Sequence, residues 1–183
     1  MIEKNLPIWR QDLKSSRKKE GKLPSNRWIQ LATVNEKNEP RLRTVVFRGW
    51  RTETSMLIFT DRRSKKMEHI KLNSNAEILW FFFKTKSQFR FKGKVSELIK
   101  NEKYWDTLTA KSKSSWFWEH PGHRVDAERK FSHSIKKDLS KPNNFVVLEF
   151  QINSVDLLKL EKPIHMRYIW EKENEWEKVE INP

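Results

Sequence analysis

The sequence of 183 residues contains no cysteine, only 4 glycines and no long apolar run. The absence of cysteine excludes disulfide scaffolds, thiolate zinc sites and cysteine nucleophiles. Because there are so few glycines, the sequence contains no convincing glycine-rich phosphate-binding loop. The longest apolar run covers residues 78–83, far short of the roughly 20 residues of a membrane helix, and the N-terminus lacks the apolar core of a signal peptide. These absences predict a cytoplasmic protein.

Charged and aromatic residues are abundant. The chain carries 38 Lys and Arg against 24 Asp and Glu, a net charge of +14, which favours anionic partners such as nucleic acid, a membrane surface or phosphorylated small molecules. Its 11 Phe, 9 Trp and 2 Tyr supply the apolar surface that disordered chains lack. The length fits one compact domain, so we expect a single domain over residues 1–183.

Strand-like runs dominate the hydrophobic pattern, and they predict a mainly β domain with short helices (α+β), arranged as an antiparallel barrel. The predicted strands cover residues 28–34, 41–50, 56–60, 76–83, 88–98, 145–152, 165–171 and 176–181. The predicted helices cover residues 6–20, within an N-terminal helical segment at 1–25, and residues 64–72 and 101–111. Residues 112–143 are expected to form an irregular insertion.

The strongest local signal for chemistry lies in residues 59–66. A strand ends there, the chain turns, and a helix that Ser64 can cap opens with Lys65 and Lys66. Free amide groups at a helix N-terminus attract anions, and lysines in the first turn strengthen that attraction. The pattern therefore favours a phosphate site, and the alternative is a solvated basic turn.

Arginines on the preceding strand could supply further anion donors. Arg41 and Arg43 share one face, whereas Arg48 falls on the other face unless a bulge intervenes. Such arginines are either exposed or fixed bidentate donors to carboxylate or phosphate.

Two other patterns carry weaker signals. His120 and His123 lie three residues apart but have no third ligand at a telling spacing, so we predict no metal site. Trp and Phe interleaved with Lys and Arg could form a stacking platform for single-stranded nucleic acid, although such aromatics more often fill the core of a strand-rich domain.

An ordered series of short motifs carries a family resemblance. Arg43-Thr44-Val45-Val46-Phe47-Arg48, Phe59-Thr60, Ser64-Lys65-Lys66, Gln88-Phe89-Arg90 and His165-Met166-Arg167 follow one another along the chain. This series, over roughly residues 26–183, resembles the pyridoxamine 5′-phosphate oxidase family of FMN-binding split β-barrels. A Trp- and Phe-rich segment over residues 112–122 ends in Pro-Gly and interrupts the middle of the chain. It resembles a segment found at this place in the oxidase-like proteins of cyanobacteria and plants, one branch of the family.

The resemblance implies a homodimer with FMN bound at the subunit interface. It assigns Arg43 and Lys65 to the FMN phosphate, with Lys66 beside it in the motif that Ser64 opens. Gln88 and Arg167 would reach the cofactor from the other subunit. The remaining cofactor-binding residues implied are Thr44, Val45 and Val46 along the flavin ring, and Phe59 and Thr60 beside the ribityl chain and phosphate.

The resemblance also implies a reaction, although no catalytic residue is assigned. It predicts hydride transfer between a phosphorylated substrate, pyridoxamine or pyridoxine 5′-phosphate, and N5 of the flavin. The substrate residues implied are Arg48, Tyr104, Ser112 and His165. The sequence departs from the family pattern at several positions. Leu108 and Pro163 stand where the family has arginines, Arg48 stands where it has a lysine, and a flavin-contacting Trp upstream of His165 has no clear counterpart.

Other functions remain open from the sequence. A flavin reductase, or another FMN oxidoreductase of unknown substrate, keeps the cofactor and changes the reaction. Haem or deazaflavin in the same barrel is a further alternative. A basic nucleic-acid-binding protein without catalysis ranks lower, because scattered charge explains less than an ordered motif series.

Overall fold

The computed structural model describes residues 6–125 and 140–183. The strands are β1 (Trp28–Val34), β2 (Pro40–Thr52), β3 (Ser55–Asp61), β4 (Asn75–Phe82), β5 (Ser87–Glu97), β6 (Phe145–Lys159), β7 (Met166–Glu171) and β8 (Val179–Ile181). The helices are α1 (Trp9–Glu20), α2 (Lys65–Leu72), α3 (Glu102–Asp106) and α4 (Ala110–Ser114). Short 3₁₀ turns cover Pro24–Asn26, Ser115–Phe117 and Lys172–Asn174.

The strands form one antiparallel sheet in the order β3-β2-β1-β4-β5-β6-β7-β8. An additional pairing of β3 with β6 closes the first six strands of this order into a barrel, and β7 and β8 extend the sheet beyond it. This arrangement confirms the predicted mainly β barrel with short helices. Closure leaves β3 without an open edge, which removes a row of unpaired backbone groups.

Alternating apolar residues fill the barrel because successive side chains of a strand point to opposite faces. On β5, for example, Phe89, Phe91 and Val95 are buried in the core cluster. Helix α1 packs on this core through Trp9 and Leu13, and the ring of Trp9 lies 5.8 Å from that of Phe91. The period-2 pattern of the sequence therefore identified the core face of this strand correctly.

Several predicted elements differ from the structure at their ends. The predicted helix over 101–111 is interrupted between α3 and α4. At the interruption the side chain of Leu108 packs with Trp105 in a second apolar cluster. Strand β6 continues to Lys159 instead of ending at residue 152, because Asn153 is an extra residue in its pairing with β5 and the ladder resumes beyond it. Helix α1 begins at Trp9 instead of residue 6.

The last hairpin and the insertion also differ in part. Only Val179–Ile181 of the predicted strand 176–181 is extended, since Trp176 has a φ of 65° and packs against the core instead. The predicted irregular insertion over 112–143 begins inside α4 and continues as a 3₁₀ turn, and its residues 126–139 lie outside the described residues.

A bulge in β2 decides where Arg48 lies. Phe47 pairs with Ile58 and Gly49 pairs with Leu57, so Arg48 is an extra residue opposite β3. Gly49 has a φ of 130°, a conformation that favours glycine. The bulge that the arginine spacing left open is therefore present.

Candidate functional site

A cavity of about 540 Å³ lies between one end of the barrel and the chain that follows α4. Its first wall consists of β2, β3 and α2, and its second wall consists of residues 115–125, which we call the tryptophan wall. The first wall presents Arg43, Thr44, Val45, Val46, Phe59, Thr60, Asp61, Arg63 and Lys66. The tryptophan wall presents Ser115, Trp116, Trp118, Glu119, His120, Pro121, Gly122, His123 and Val125.

The guanidinium of Arg43 is held in a fixed orientation in the first wall of the cavity. Its Nη1 donates to the backbone O of Leu31 at 3.0 Å and to Oγ1 of Thr33 at 2.7 Å. Both acceptors belong to β1, where Leu31 pairs directly with Arg43. Neighbouring strands therefore orient the guanidinium before any ligand binds.

Buried His69 completes this arrangement, although it lies outside the motif series. Its Nδ1 lies 3.0 Å from Oγ1 of Thr33 and 3.5 Å from Nη2 of Arg43. Because Thr33 already accepts from Arg43, its hydroxyl can donate to Nδ1, which places the ring proton on Nε2. Burial, followed by the charge of Arg43, lowers the pKa of His69 and keeps the ring neutral. Its position three residues after Lys66 in α2 is the sequence signal that could have found it.

Lys66 is the second cation of the cavity. Its Nζ donates to Oγ1 of Thr60 at 2.9 Å and to Oγ of Ser64 at 2.8 Å. Burial and then the nearby charge of Arg43 lower the pKa of this amine to about 8. Ser64 does not cap α2 through its side chain as predicted, because its Oγ donates to the backbone O of Asp61 at 2.6 Å.

Arg43 and Lys66 fit a phosphate. Within residues 6–125 and 140–183, the hydrogen bonds of both go to backbone or hydroxyl oxygens and, for Arg43, to the ring of His69, not to a carboxylate. The carboxylate of Asp61 is paired with Arg63 instead. Two cations that lie in one cavity and have no carboxylate hydrogen-bond partner among the described residues match the charge and the acceptor oxygens of a phosphate ester.

The structure gathers seven of the predicted cofactor residues around this cavity. They are Arg43, Thr44, Val45, Val46, Phe59, Thr60 and Lys66. Ser64 lies next to them through its bond to Lys66, whereas Lys65 is exposed at the start of α2 and does not line the cavity. Of the two lysines, Lys66 therefore lies in the cavity with Arg43, and the assignment of Lys65 to the FMN phosphate stays a prediction.

Gln88 and Arg167 do not line the cavity of this chain. They lie side by side on the outer face of the sheet, because both pair with Leu158, from β5 and β7 respectively. Arg167 donates from Nε and Nη2 to Asp156, at 3.1 and 2.8 Å, and Arg90 forms a second ion pair with the same carboxylate. These contacts hold the pKa of Arg167 above its usual value.

The predicted substrate residues divide into two groups. The guanidinium of Arg48 lies 5.3 Å from the ring of Phe59, and the ring of Tyr104 lies 5.9 Å from it, so both contact a residue that lines the cavity. Ser112 lies in the first turn of α4, where its backbone N donates to Thr109. His165 is exposed just before β7, and its Nδ1 lies 3.1 Å from the backbone O of Glu161.

The part of the chain that the structure describes contains neither a cluster of metal-binding side chains nor a membrane-spanning helix. No group of three or more His, Asp or Glu side chains in residues 6–125 and 140–183 could hold a metal ion. The rings of His120 and His123 stack on each other at 4.3 Å. None of the helices in the same ranges has the length and apolar character needed to cross a membrane.

Comparison with known proteins identifies the family. A model of the pyridoxamine 5′-phosphate oxidase FMN-binding domain matches residues 6–98. Pyridoxine/pyridoxamine 5′-phosphate oxidase 2 of Arabidopsis thaliana is 30% identical over 165 residues, 83% of each chain. The corresponding oxidase of Coxiella burnetii is 26% identical over 164 residues, 84% of this chain and 83% of the other.

A solved structure agrees with these sequences. The crystal structure of a pyridoxamine 5′-phosphate oxidase-related, FMN-binding protein from Nostoc punctiforme superposes with a TM-score of 0.89 at 28% identity and covers 98% of this chain and 100% of that one. The resemblance inferred from the motif series is thereby confirmed. The chain belongs to the pyridoxamine 5′-phosphate oxidase family of FMN-binding split barrels, and its cofactor is FMN.

Proposed function

We propose that this protein is an oxidoreductase that transfers a hydride between a small phosphorylated substrate and FMN, with pyridoxamine or pyridoxine 5′-phosphate as the first candidate substrate. The observation that carries this proposal is the pair of cations in the cavity, Arg43 and Lys66, neither of which is hydrogen-bonded to a carboxylate among the described residues. Bound FMN supplies the hydride acceptor at its N5 and passes the electrons to molecular oxygen if the protein is an oxidase.

In this proposal the first wall of the cavity binds FMN and the tryptophan wall covers it. Arg43 and Lys66 bind the phosphate of FMN through charge-assisted hydrogen bonds, with Thr60 beside them. Val45 and Val46 supply an apolar surface and backbone groups along the flavin ring. The tryptophan wall excludes water from the opposite side, which strengthens the electrostatic contacts to the phosphate.

We propose a homodimer in which the partner subunit completes the site. The outer face of the sheet carries large exposed side chains: Trp28 is 54% exposed, Leu42 69% and Phe83 65%. Such an apolar face is typical of an interface, and it is continuous with the strands that carry Gln88 and Arg167. If a second copy packed on this face, the Gln88 and Arg167 side chains of each subunit would reach the cavity of the other subunit. The cytoplasmic location stays a prediction.

Subunit mixing tests this interface. We expect Arg43→Ala and Arg167→Ala each to weaken FMN retention as homodimers. A mixed dimer of the two variants, purified through two different tags, regains one intact site because one chain supplies Arg43 and the other supplies Arg167. The expected result is one FMN per mixed dimer, measured from the flavin absorbance per protein.

The matched control is a mixed dimer of the wild-type chain with the double variant Arg43→Ala, Arg167→Ala. Each of its sites lacks one arginine, so it should retain no FMN tightly. Equal FMN retention by the two mixed dimers, or a monomer in sedimentation velocity, would contradict the proposed interface.

Arg48 is the proposed donor to the substrate phosphate. Burial, and then the charge of Arg27, lowers the pKa of Arg48, and its buried Nε has no hydrogen-bond partner among the described residues. A buried unpaired donor is costly, and an anionic ligand beside Phe59 would offset that cost.

Turnover of FMN-loaded protein tests the substrate. We expect pyridoxal 5′-phosphate to form from pyridoxine 5′-phosphate as molecular oxygen is reduced to hydrogen peroxide. From pyridoxamine 5′-phosphate the same oxidation also consumes water and releases ammonia. Arg48→Ala should raise KM about tenfold or more while FMN stays bound, because it removes a charged hydrogen bond to the substrate. Unphosphorylated pyridoxine, which lacks the phosphate, should show no such difference. Absence of any pyridoxal 5′-phosphate would refute this substrate.

One observation favours a second candidate, a flavin reductase. Leu108, where the family has a substrate-binding arginine, is buried in an apolar cluster with Trp105 and Phe145. The substrate side of the site therefore departs from the family pattern while the FMN side keeps it. Reduction of bound FMN by NADH or NADPH, without formation of pyridoxal 5′-phosphate, would select this function.

A further inference from the structure

Asp61 is the last residue of β3 and lines the cavity, and its carboxylate accepts hydrogen bonds from two residues, Arg63 and Asn144. Arg63 donates to Oδ1 from its backbone N at 2.8 Å and from Nε at 3.0 Å, and to Oδ2 from Nη2 at 2.7 Å. Asn144 donates from Nδ2 to Oδ2 at 2.8 Å. Burial acts to raise the pKa of Asp61, but the hydrogen bonds from Arg63 and Asn144 outweigh it and hold the pKa below its usual value.

Both partners of Asp61 continue to the opposite wall of the cavity. Arg63 donates from Nη2 to the backbone O of Trp118 at 3.0 Å, and Asn144 donates from Nδ2 to the backbone O of Trp116 at 2.8 Å. The ring of Trp116 also packs edge-on against Phe145 at 4.9 Å. One carboxylate on the first wall is therefore linked through two side chains to two backbone positions of the tryptophan wall.

We propose that Asp61 is a positioning residue that, through Arg63 and Asn144, holds the tryptophan wall against bound FMN and slows release of the cofactor. This inference rests on the proposed function, which places FMN in the cavity. Nothing in the motif series assigns Asp61, Arg63 or Asn144 to the cofactor, and the family motif that ends at Thr60 stops one residue before the carboxylate.

The sign of the effect separates positioning from simple electrostatics. Asp61 adds a negative charge to a cavity that binds a phosphate, so its charge alone repels FMN. Removing that charge would then slow release of FMN. Removing the links to Trp116 and Trp118 would instead accelerate release. The charge of Asp61 also acts to raise the pKa of Lys66, which is about 8, so the rates are measured well below that pH, where the amine is charged. Under that condition the two explanations predict opposite changes in one rate constant.

The experiment measures the FMN dissociation and association rates of the full-length protein by stopped-flow flavin fluorescence. Asp61→Ala should accelerate dissociation about tenfold, because it releases both links, whereas the association rate should stay within about twofold. Asn144→Ala removes one link without changing any charge, and it should accelerate dissociation about threefold. Thermal unfolding of the FMN-free variants monitors their folding.

Glu97→Ala is the matched control. Glu97 accepts hydrogen bonds from Nη1 and Nη2 of Arg62, the residue that follows Asp61, whereas Nε of Arg62 donates to the backbone O of Asn143. Glu97 does not line the cavity. Its removal should leave FMN dissociation unchanged. Slower or unchanged dissociation in Asp61→Ala, or an effect confined to that variant with none in Asn144→Ala, would overturn the inference while the proposed function stood. A wild-type protein that binds no FMN would overturn both.

Discussion

Replacing Arg43 with alanine should raise the Kd for FMN about 100-fold. The guanidinium is already aimed by Leu31 and Thr33, so its hydrogen bonds to the phosphate require little further ordering. Two charge-assisted bonds of this kind together contribute about 2–3 kcal/mol to binding, which corresponds to the expected loss. Titration of the FMN-free protein, followed by quenching of flavin fluorescence, measures the change.

Arg41→Ala is the control for this prediction. Arg41 lies on the same strand two residues away, but its side chain is exposed and pairs with Glu39. The control should bind FMN with wild-type affinity. Equal Kd values for the Arg43 and Arg41 variants would mean that the FMN phosphate binds elsewhere.

The affinity for FMN should fall about tenfold per pH unit above pH 8, because of Lys66. The pKa of its amine is lowered to about 8 in the FMN-free protein, so the charged form prevails below that pH. A bound phosphate favours the charged amine and raises its pKa. Binding is therefore at full strength below about pH 8 and requires uptake of a proton as the pH rises above it. Fluorescence titrations from pH 7 to pH 10 test this dependence.

Lys66→Met keeps the apolar stem and removes the charge. It should weaken FMN binding about tenfold or more at pH 7 and abolish the loss of affinity above pH 8. Lys71→Met, an exposed lysine at the end of the same helix, should retain both the affinity and the pH dependence of the wild type. A pH dependence that persists in Lys66→Met would assign it to another group.

The sequence supports the barrel because the apolar positions of β5 alternate strictly and every one of them faces the core. The same alternation could not reveal that Asn153 bulges and lets β6 continue, since that depends on its pairing with β5. Nor could helical periodicity show that the predicted helix 101–111 breaks, because the break follows burial of Leu108 against β-sheet residues distant in sequence.

The sequence could predict those residues of the candidate site that belong to short motifs of neighbouring residues. Arg43 and Lys66 belong to local motifs, and the structure brings both to one cavity. His69 and Asn144 lie outside the motif series, and they reach the site only when α2 packs on β1 and when β6 pairs with β3. Long-range pairing of this kind cannot be derived from local patterns alone.

A comparison of the affinities for FMN and riboflavin tests whether the cavity binds the phosphate of the cofactor. The two molecules share the flavin ring and ribityl chain, and only FMN carries the phosphate that Arg43 and Lys66 are proposed to bind. We predict that the purified protein retains FMN with its visible flavin spectrum, and that riboflavin binds at least about 100-fold more weakly at pH 7. Equal affinity for the two would mean that Arg43 and Lys66 do not bind the FMN phosphate, and a colourless protein that retains neither would contradict FMN binding itself.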